Sequence, residues 1–136
     1  MQYLLLTSPY ELADVAATDP HKTIVLVEDE VGQEARARIC AQLVTTGCRY
    51  AMTWGNDCRA WQDAINLANL QAFGFDDIPD DQLIITTSHP DEALADVFWF
   101  AKYTAMHPCH ALTHIQLLHI GSENREKELL GQLGAV

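Results

Sequence analysis

Cys58 and His89 are the residues whose types and spacing most directly suggest covalent chemistry. Cys58 is expected in the first turn of a helix, where the positive end of the helix dipole lowers a thiol pKa. His89 is expected at the carboxyl end of a strand. If the two strand ends are neighbours, Cys58 and His89 would supply a nucleophile and its base. The plainer reading puts Cys58 in the core beside Trp54 and Trp61 and leaves His89 to cap its helix. Sequence alone does not decide between them.

Other polar groups invite a similar weighing. Glu28-Asp29-Glu30 follows an apolar strand, and clustered carboxylates suit a hard cation such as Mg²⁺. Three adjacent acids on one short loop cannot all converge on an ion without another segment, so a solvated loop is the simpler reading. The same acids would repel a phosphate, and neither GxGxxG nor GxxxxGK[ST] follows the strand. His107, Cys109, His110 and His114 are of metal-binding type, but Pro108 interrupts them and their spacing matches no standard helical pair. No metal and no cofactor is expected. His119, between Leu118 and Ile120, reads as a hydrogen-bonded histidine at the end of the sheet.

Asp76, Asp77, Asp80 and Asp81 fall within six residues and enclose Ile78 and Pro79. Charge runs are most often solvated faces. The sharper reading is a docking surface for a basic protein, with Ile78 as the apolar anchor in a charged rim and Glu28, Asp29 and Glu30 contributing. The whole chain supports that sign of partner. Its 136 residues carry 8 Lys plus Arg against 19 Asp plus Glu, a net charge of −11. Phosphate contacts need clustered cations, so nucleic acid is not an expected partner. Neither is a membrane, because the longest apolar runs fall far short of the roughly 18 residues of a spanning helix. The amino terminus lacks the basic start and long apolar run of a signal peptide, which points to the cytoplasm. The four cysteines form no CxxC pair and read as small buried thiols in a reducing compartment.

These residues need elements to position them. Strands are expected over Thr23–Val27, Tyr50–Trp54, Leu83–Thr87 and about Thr113–Ile120, the first nearly all apolar and so covered on both faces. Helices are expected over about Gln33–Thr46, from Asn56 or Asp57 to near Gly74, from Ser88 or His89 to Pro108, and over about Glu123–Leu133. The third has Pro90 at its first position and Asp91 and Glu92 in its first turn. It carries Leu94, Val97, Phe98, Trp99, Phe100, Ala101 and Met106, and is expected to be the most buried helix. Trp54, Trp61, Trp99 and Phe98 read as core, with Trp54 partly exposed and free to stack on a partner if it sits at the end of its strand. Leu4–Leu6 can add an edge strand, and Glu11–Ala17 a helical turn.

Alternating strands and helices over residues 1–136 predict one α/β domain. Its architecture is a three-layer α-β-α sandwich on a mainly parallel sheet of four or five strands. Right-handed crossovers restrict the order, and 2-1-3-4 is favoured, counting from Thr23–Val27. In such a sheet Glu28-Asp29-Glu30, Trp54–Cys58, Ser88-His89 and His119 with Gly121-Ser122 all reach the carboxyl edge, where ligands bind.

Four segments, Tyr50–Cys58, Phe75–Asp81, Thr86–His89 and Val97–Lys102, resemble an uncharacterised family of small bacterial cytosolic proteins, over about Ile24 to Leu133. The resemblance carries no activity. It implies that the strand-end segments Trp54–Cys58 and Ser88-His89 matter, for folding or for a ligand. Some acidic proteins of this size are immunity proteins. The expected function is therefore non-enzymatic binding of a basic protein, most concretely a toxin domain. The alternatives are a small enzyme or ligand-binding domain using Cys58 and His89, and a subunit that self-associates into a homo-oligomer.

Overall fold

The computed structural model describes residues 1–11 and 19–136. Strands β1 (Gln2–Leu6), β2 (His21–Val27), β3 (Cys48–Gly55), β4 (Ile85–Ser88) and β5 (Ile115–Ile120) form one sheet. Its order is β1-β5-β2-β3-β4, and every neighbouring pair is parallel. Among the described residues the helices are α1 (Gln33–Val44), α2 (Cys58–Ala72), α3 (Leu94–Tyr103) and α4 (Glu126–Ala135), with a 3-10 turn at Asp80–Gln82.

The apolar run of β2 lies at the centre of the sheet, and all seven of its residues are buried. Its side chains alternate between two cores. Val25 and Val27 join Leu118 and Ile120 of β5 under Ile39 and Leu43 of α1 and Trp61 and Ile65 of α2. Ile24 and Leu26 join Met52 and Leu117 under Val97 and Phe98 of α3 and Leu129 and Leu133 of α4. The α-β-α sandwich on a parallel sheet is thus as the sequence predicts, and the expected amino-terminal edge strand is β1.

The strand order differs from expectation. Counted from β2, the four main strands lie 3-2-1-4 rather than 2-1-3-4, with β1 outside the fourth. In the expected order α1 and α2 would take opposite faces. Instead they pack on one another. Two right-handed crossovers stepping the same way, from β2 to β3 to β4, put both helices on one face. The connection through α3 then returns over the other face to place β5 beside β2.

The third helix also differs. It begins at Leu94 with Ala93 at its N-cap, not at Ser88 or His89. Asp91 sits at φ +59°, a left-handed conformation that cannot continue a helix. Pro90–Glu92 instead form a turn, tied by the His89 side chain to Glu92. The helix stops at Tyr103, five residues before Pro108. Trp99, expected in the core, is instead 55% exposed and stacks obliquely on exposed Tyr103. Trp61 and Phe98 are core as expected, whereas Trp54 is only half-buried. Cys40, Cys48 and Cys58 are buried free thiols, and Cys109 is exposed. The helical turn expected over Glu11–Ala17 falls, from residue 12 onward, outside the described residues.

Candidate functional site

The reversal in strand order lies between β2 and β5, and two polar side chains meet there. Chain parity places Glu28 on the face of Ile24 and Leu26, and His119 on the face of Leu117. Both therefore lie on the α3/α4 side of the sheet. The backbone of Glu28 is fixed first. The N–H groups of Glu28 and Asp29 donate to the Ile120 carbonyl at 2.9 and 3.3 Å. Asn56 Nδ2 donates to the Glu28 carbonyl at 2.7 Å. Gly55 makes this docking possible: it sits at φ +98°, and a Cβ there would stand 2.1 Å from the Val27 carbonyl oxygen.

A chain of hydrogen bonds then runs through His119, which is fully buried. A carboxylate only accepts, so Nε2–H of His119 donates to Glu28 Oε1. Nδ1 then accepts a hydrogen bond from the Tyr3 hydroxyl at 2.5 Å. The Tyr3 oxygen in turn accepts the Arg125 backbone N–H at 3.1 Å. Arg125 closes the circuit, its Nη1 donating to Glu28 Oε1 at 3.1 Å while Nε and Nη2 grip Glu128 at 3.0 and 2.8 Å. Gly121 leaves room for the imidazole, since a Cβ there would lie 2.8 Å from Nε2. One cluster thus joins β1, β2, β5 and the start of α4.

Its electrostatics follow from this geometry. Burial works against ionising Glu28, but the bonds from His119 and Arg125 outweigh it and hold the carboxyl below its usual range. Glu128 raises the guanidinium pKa of Arg125, and Glu28 adds to it. Both nitrogens of His119 are engaged, so the imidazole orients Glu28. The Glu28 side chain remains 40% exposed. The arrangement can present a fixed carboxylate beside a guanidinium at the mouth of the sheet.

Cys58 and His89 are not brought together in this way. The Thr87 hydroxyl donates to His89 Nε2 at 2.8 Å, and Nδ1–H donates to Glu92 Oε2 at 2.8 Å. The His89 ring packs edge-on against Phe100 of α3, its centroid 4.8 Å away. Cys58 starts α2, in the opposite helical layer, and is buried. Among the described residues no hydrogen bond links the two.

The acids expected to act as one surface are also divided. Glu28, Asp29 and Glu30 follow β2 at the carboxyl edge of the sheet, where Asp29 accepts the Tyr10 hydroxyl at 2.7 Å. Helix α2 returns the chain to the amino edge, so Asp76, Asp77, Asp80 and Asp81 lie at the opposite end. Arg49, at the start of β3, donates to the Asp81 carbonyl at 2.9 Å and to Gln82 Oε1 at 2.9 Å. His110 Nε2 reaches the same Asp81 carbonyl at 2.8 Å, and His107 Nε2 the Leu83 carbonyl at 2.8 Å. The loop backbone is therefore pinned while the four carboxylates stay exposed, and among the described residues none enters an ion pair. Phe75 stands beside them, 65% exposed and at φ +63°. Ile78 is half-buried within the loop.

Sequence reasoning placed Glu28 and His119 at the carboxyl edge but missed their pairing with Tyr3 and Arg125. Those partners lie 116 and 97 residues away from His119 and Glu28 respectively. The usable signal was a histidine between apolar neighbours, Leu118 and Ile120, in a doubly covered strand, which demands a buried partner.

A parallel sheet with helices on both faces and a polar cluster at the reversal of strand order defines an open, doubly wound α/β protein. The chain belongs to the family described as "Domain of unknown function (DUF7684)", whose model matches residues 1–135. No curated protein and no solved structure matches it significantly. No helix of the described residues is long and apolar enough to cross a membrane.

Proposed function

We propose that this chain is a protein-binding module that docks a basic protein through its acidic amino edge, and that it serves as an immunity protein covering the active or docking surface of a bacterial toxin domain. The observation that carries this reading is the loop Phe75–Asp81. It sets an exposed phenylalanine among four aspartates that, among the described residues, have no internal ion pair. An aromatic anchor ringed by charge suits an interface, because the ring supplies desolvated contact area and the rim speeds and orients encounter. Arg49 and His110 hold the loop backbone, so little ordering is required on binding. The strand-end acids Glu28, Asp29 and Glu30 lie at the other edge and belong to no single docking face with this loop. The mechanism is steric occlusion and needs no catalytic step by this chain.

The test is a tagged chain expressed in its native cells and recovered at low and high salt. The expected result is a basic protein in 1:1 ratio, bound at low salt and weakened at least tenfold at high salt. Changing Asp76, Asp77, Asp80 and Asp81 to Asn should weaken the complex on the order of 10- to 100-fold, mainly through slower association. An affinity indifferent to those changes removes the loop from the mechanism.

A second reading, a ligand-binding domain or small enzyme acting at the carboxyl edge, is favoured by the Glu28–His119–Tyr3–Arg125 cluster at the strand-order reversal. In that reading Glu28 and Arg125 meet the ligand. A Cys58 nucleophile with a His89 base has weaker support, because His89 spends both nitrogens on Thr87 and Glu92. Alkylation of Cys58 by iodoacetamide should be no faster than that of a model thiol. Faster labelling, abolished by His89→Ala, would restore the pair.

A further inference from the structure

Lys22 is an anomaly that neither reading uses. It lies in β2 at the amino edge, only 6% exposed. Its ammonium donates to the Ala101 carbonyl at 2.6 Å, in the last turn of α3, where the helix dipole is negative. Among the described residues no carboxylate pairs with it. A buried cation without a counter-ion is costly, and an apolar residue of similar volume would serve packing better. A single carbonyl leaves two of the three ammonium hydrogens for other acceptors.

Lys22 also lines a cavity of about 340 Å³ between the end of α3 and the segment leading into β5. The polar side chains of that cavity are Lys22, Lys102, Tyr103, His107 and His110, and no carboxylate lines it. Two of the chain's three lysines and two of its six histidines thus gather in one place on a protein of net charge −11. Lys102 is held by the Val136 carbonyl at 3.0 Å, and His107 and His110 by backbone carbonyls. Lys22 is held in the same way by Ala101, but it is the more buried of the two lysines, so its charge gains most from a counter-ion. The remaining wall is apolar and includes Ala105, Met106 and Leu112.

We propose that this cavity binds a small monocarboxylate, its carboxylate paired with Lys22 Nζ and its short hydrocarbon tail lying against Ala105, Met106 and Leu112. A carboxylate with a hydrocarbon tail fits better than a phosphate, because much of the wall is apolar and no glycine-rich run of backbone N–H donors lines the cavity. Burial lowers the Lys22 pKa in the empty protein, so a bound anion raises it.

The test uses butyrate, with butyramide and inorganic phosphate as comparisons, titrated into the whole chain and followed by NMR. The signals are the Met106 and Ala105 methyl groups and the Lys22 ε-carbon. Butyrate should give saturating shifts at all three and move the Lys22 titration upward. Butyramide and phosphate should bind at least tenfold more weakly. Lys22→Met should abolish the response, and Lys22→Gln, which keeps a donor for Ala101, is the second variant should the first fail to fold. Absence of saturation, or an equal response from butyramide or from a folded Lys22 variant, would overturn the site. Tighter binding of phosphate than of butyrate would overturn the assignment to a carboxylate.

Discussion

Gly121 is the residue on which the carboxyl-edge cluster most visibly depends. A Cβ there would stand 2.8 Å from Nε2 of an imidazole held on both sides, so the ring has nowhere to retreat. Gly121→Ala should destabilise the fold by about 1–3 kcal/mol, the usual cost of overpacking. Urea denaturation measures this, and His119 ring resonances should move with it. An unchanged midpoint would mean that His119 is less tightly held than its bonds indicate. Glu28 makes a pH statement. Its folded pKa lies below the usual value, so its contribution to stability is present above the unfolded carboxylate pKa and lost as pH falls through the lowered folded one. The side chain is 40% exposed, and solvent screening keeps this contribution under about 1 kcal/mol. Glu28→Gln should therefore lower stability at neutral pH by up to that amount and flatten the profile in the acid range, the two curves converging at the lowest pH.

Among the elements, β1 is the strand most dependent on distant partners. It pairs only with β5, and Tyr3 ties it to His119 and to the first turn of α4. Tyr3→Phe leaves a buried ring nitrogen without its donor and should cost about 1–2 kcal/mol. Hydrogen exchange should quicken first in β1 and α4. Exchange quickening evenly through the sheet would assign Tyr3 no special role in docking β1. This dependence also explains what was legible in the sequence. The strands and helices were, because Ile24–Val27 of β2 is an unbroken apolar run and the helices carry apolar stripes at helical spacing. The order of strands was not, since it turns on whether α1 and α2 share a face, and their stripes read the same either way. The start of α3 was misread because Pro90, Asp91 and Glu92 are sound first-turn residues. Left-handed Asp91 and the His89–Glu92 bond override that preference. The site was half legible: Glu28 and His119 stand where ligands bind in such sheets, but Tyr3 and Arg125 reach them only through the β1–β5 pairing.

At the scale of the whole molecule, charge is unevenly spread. The exposed aspartates of the 76–81 loop and the cationic cavity around Lys22 lie along the same edge, joined where His110 meets the Asp81 carbonyl. The Glu28–His119 cluster occupies the other edge. An account that assigns protein docking to the amino edge therefore separates cleanly from one that assigns ligand binding to the carboxyl edge. The most direct test compares the wild-type chain with one carrying Phe75→Ser and Asn at 76, 77, 80 and 81, both recovered from native cells at low salt. The account predicts a stoichiometric basic protein on the wild-type chain and its loss from the loop variant, with Glu28→Gln retaining it. Equal retention by the loop variant, or no stoichiometric partner on the wild-type chain in cells producing the toxin, would contradict it.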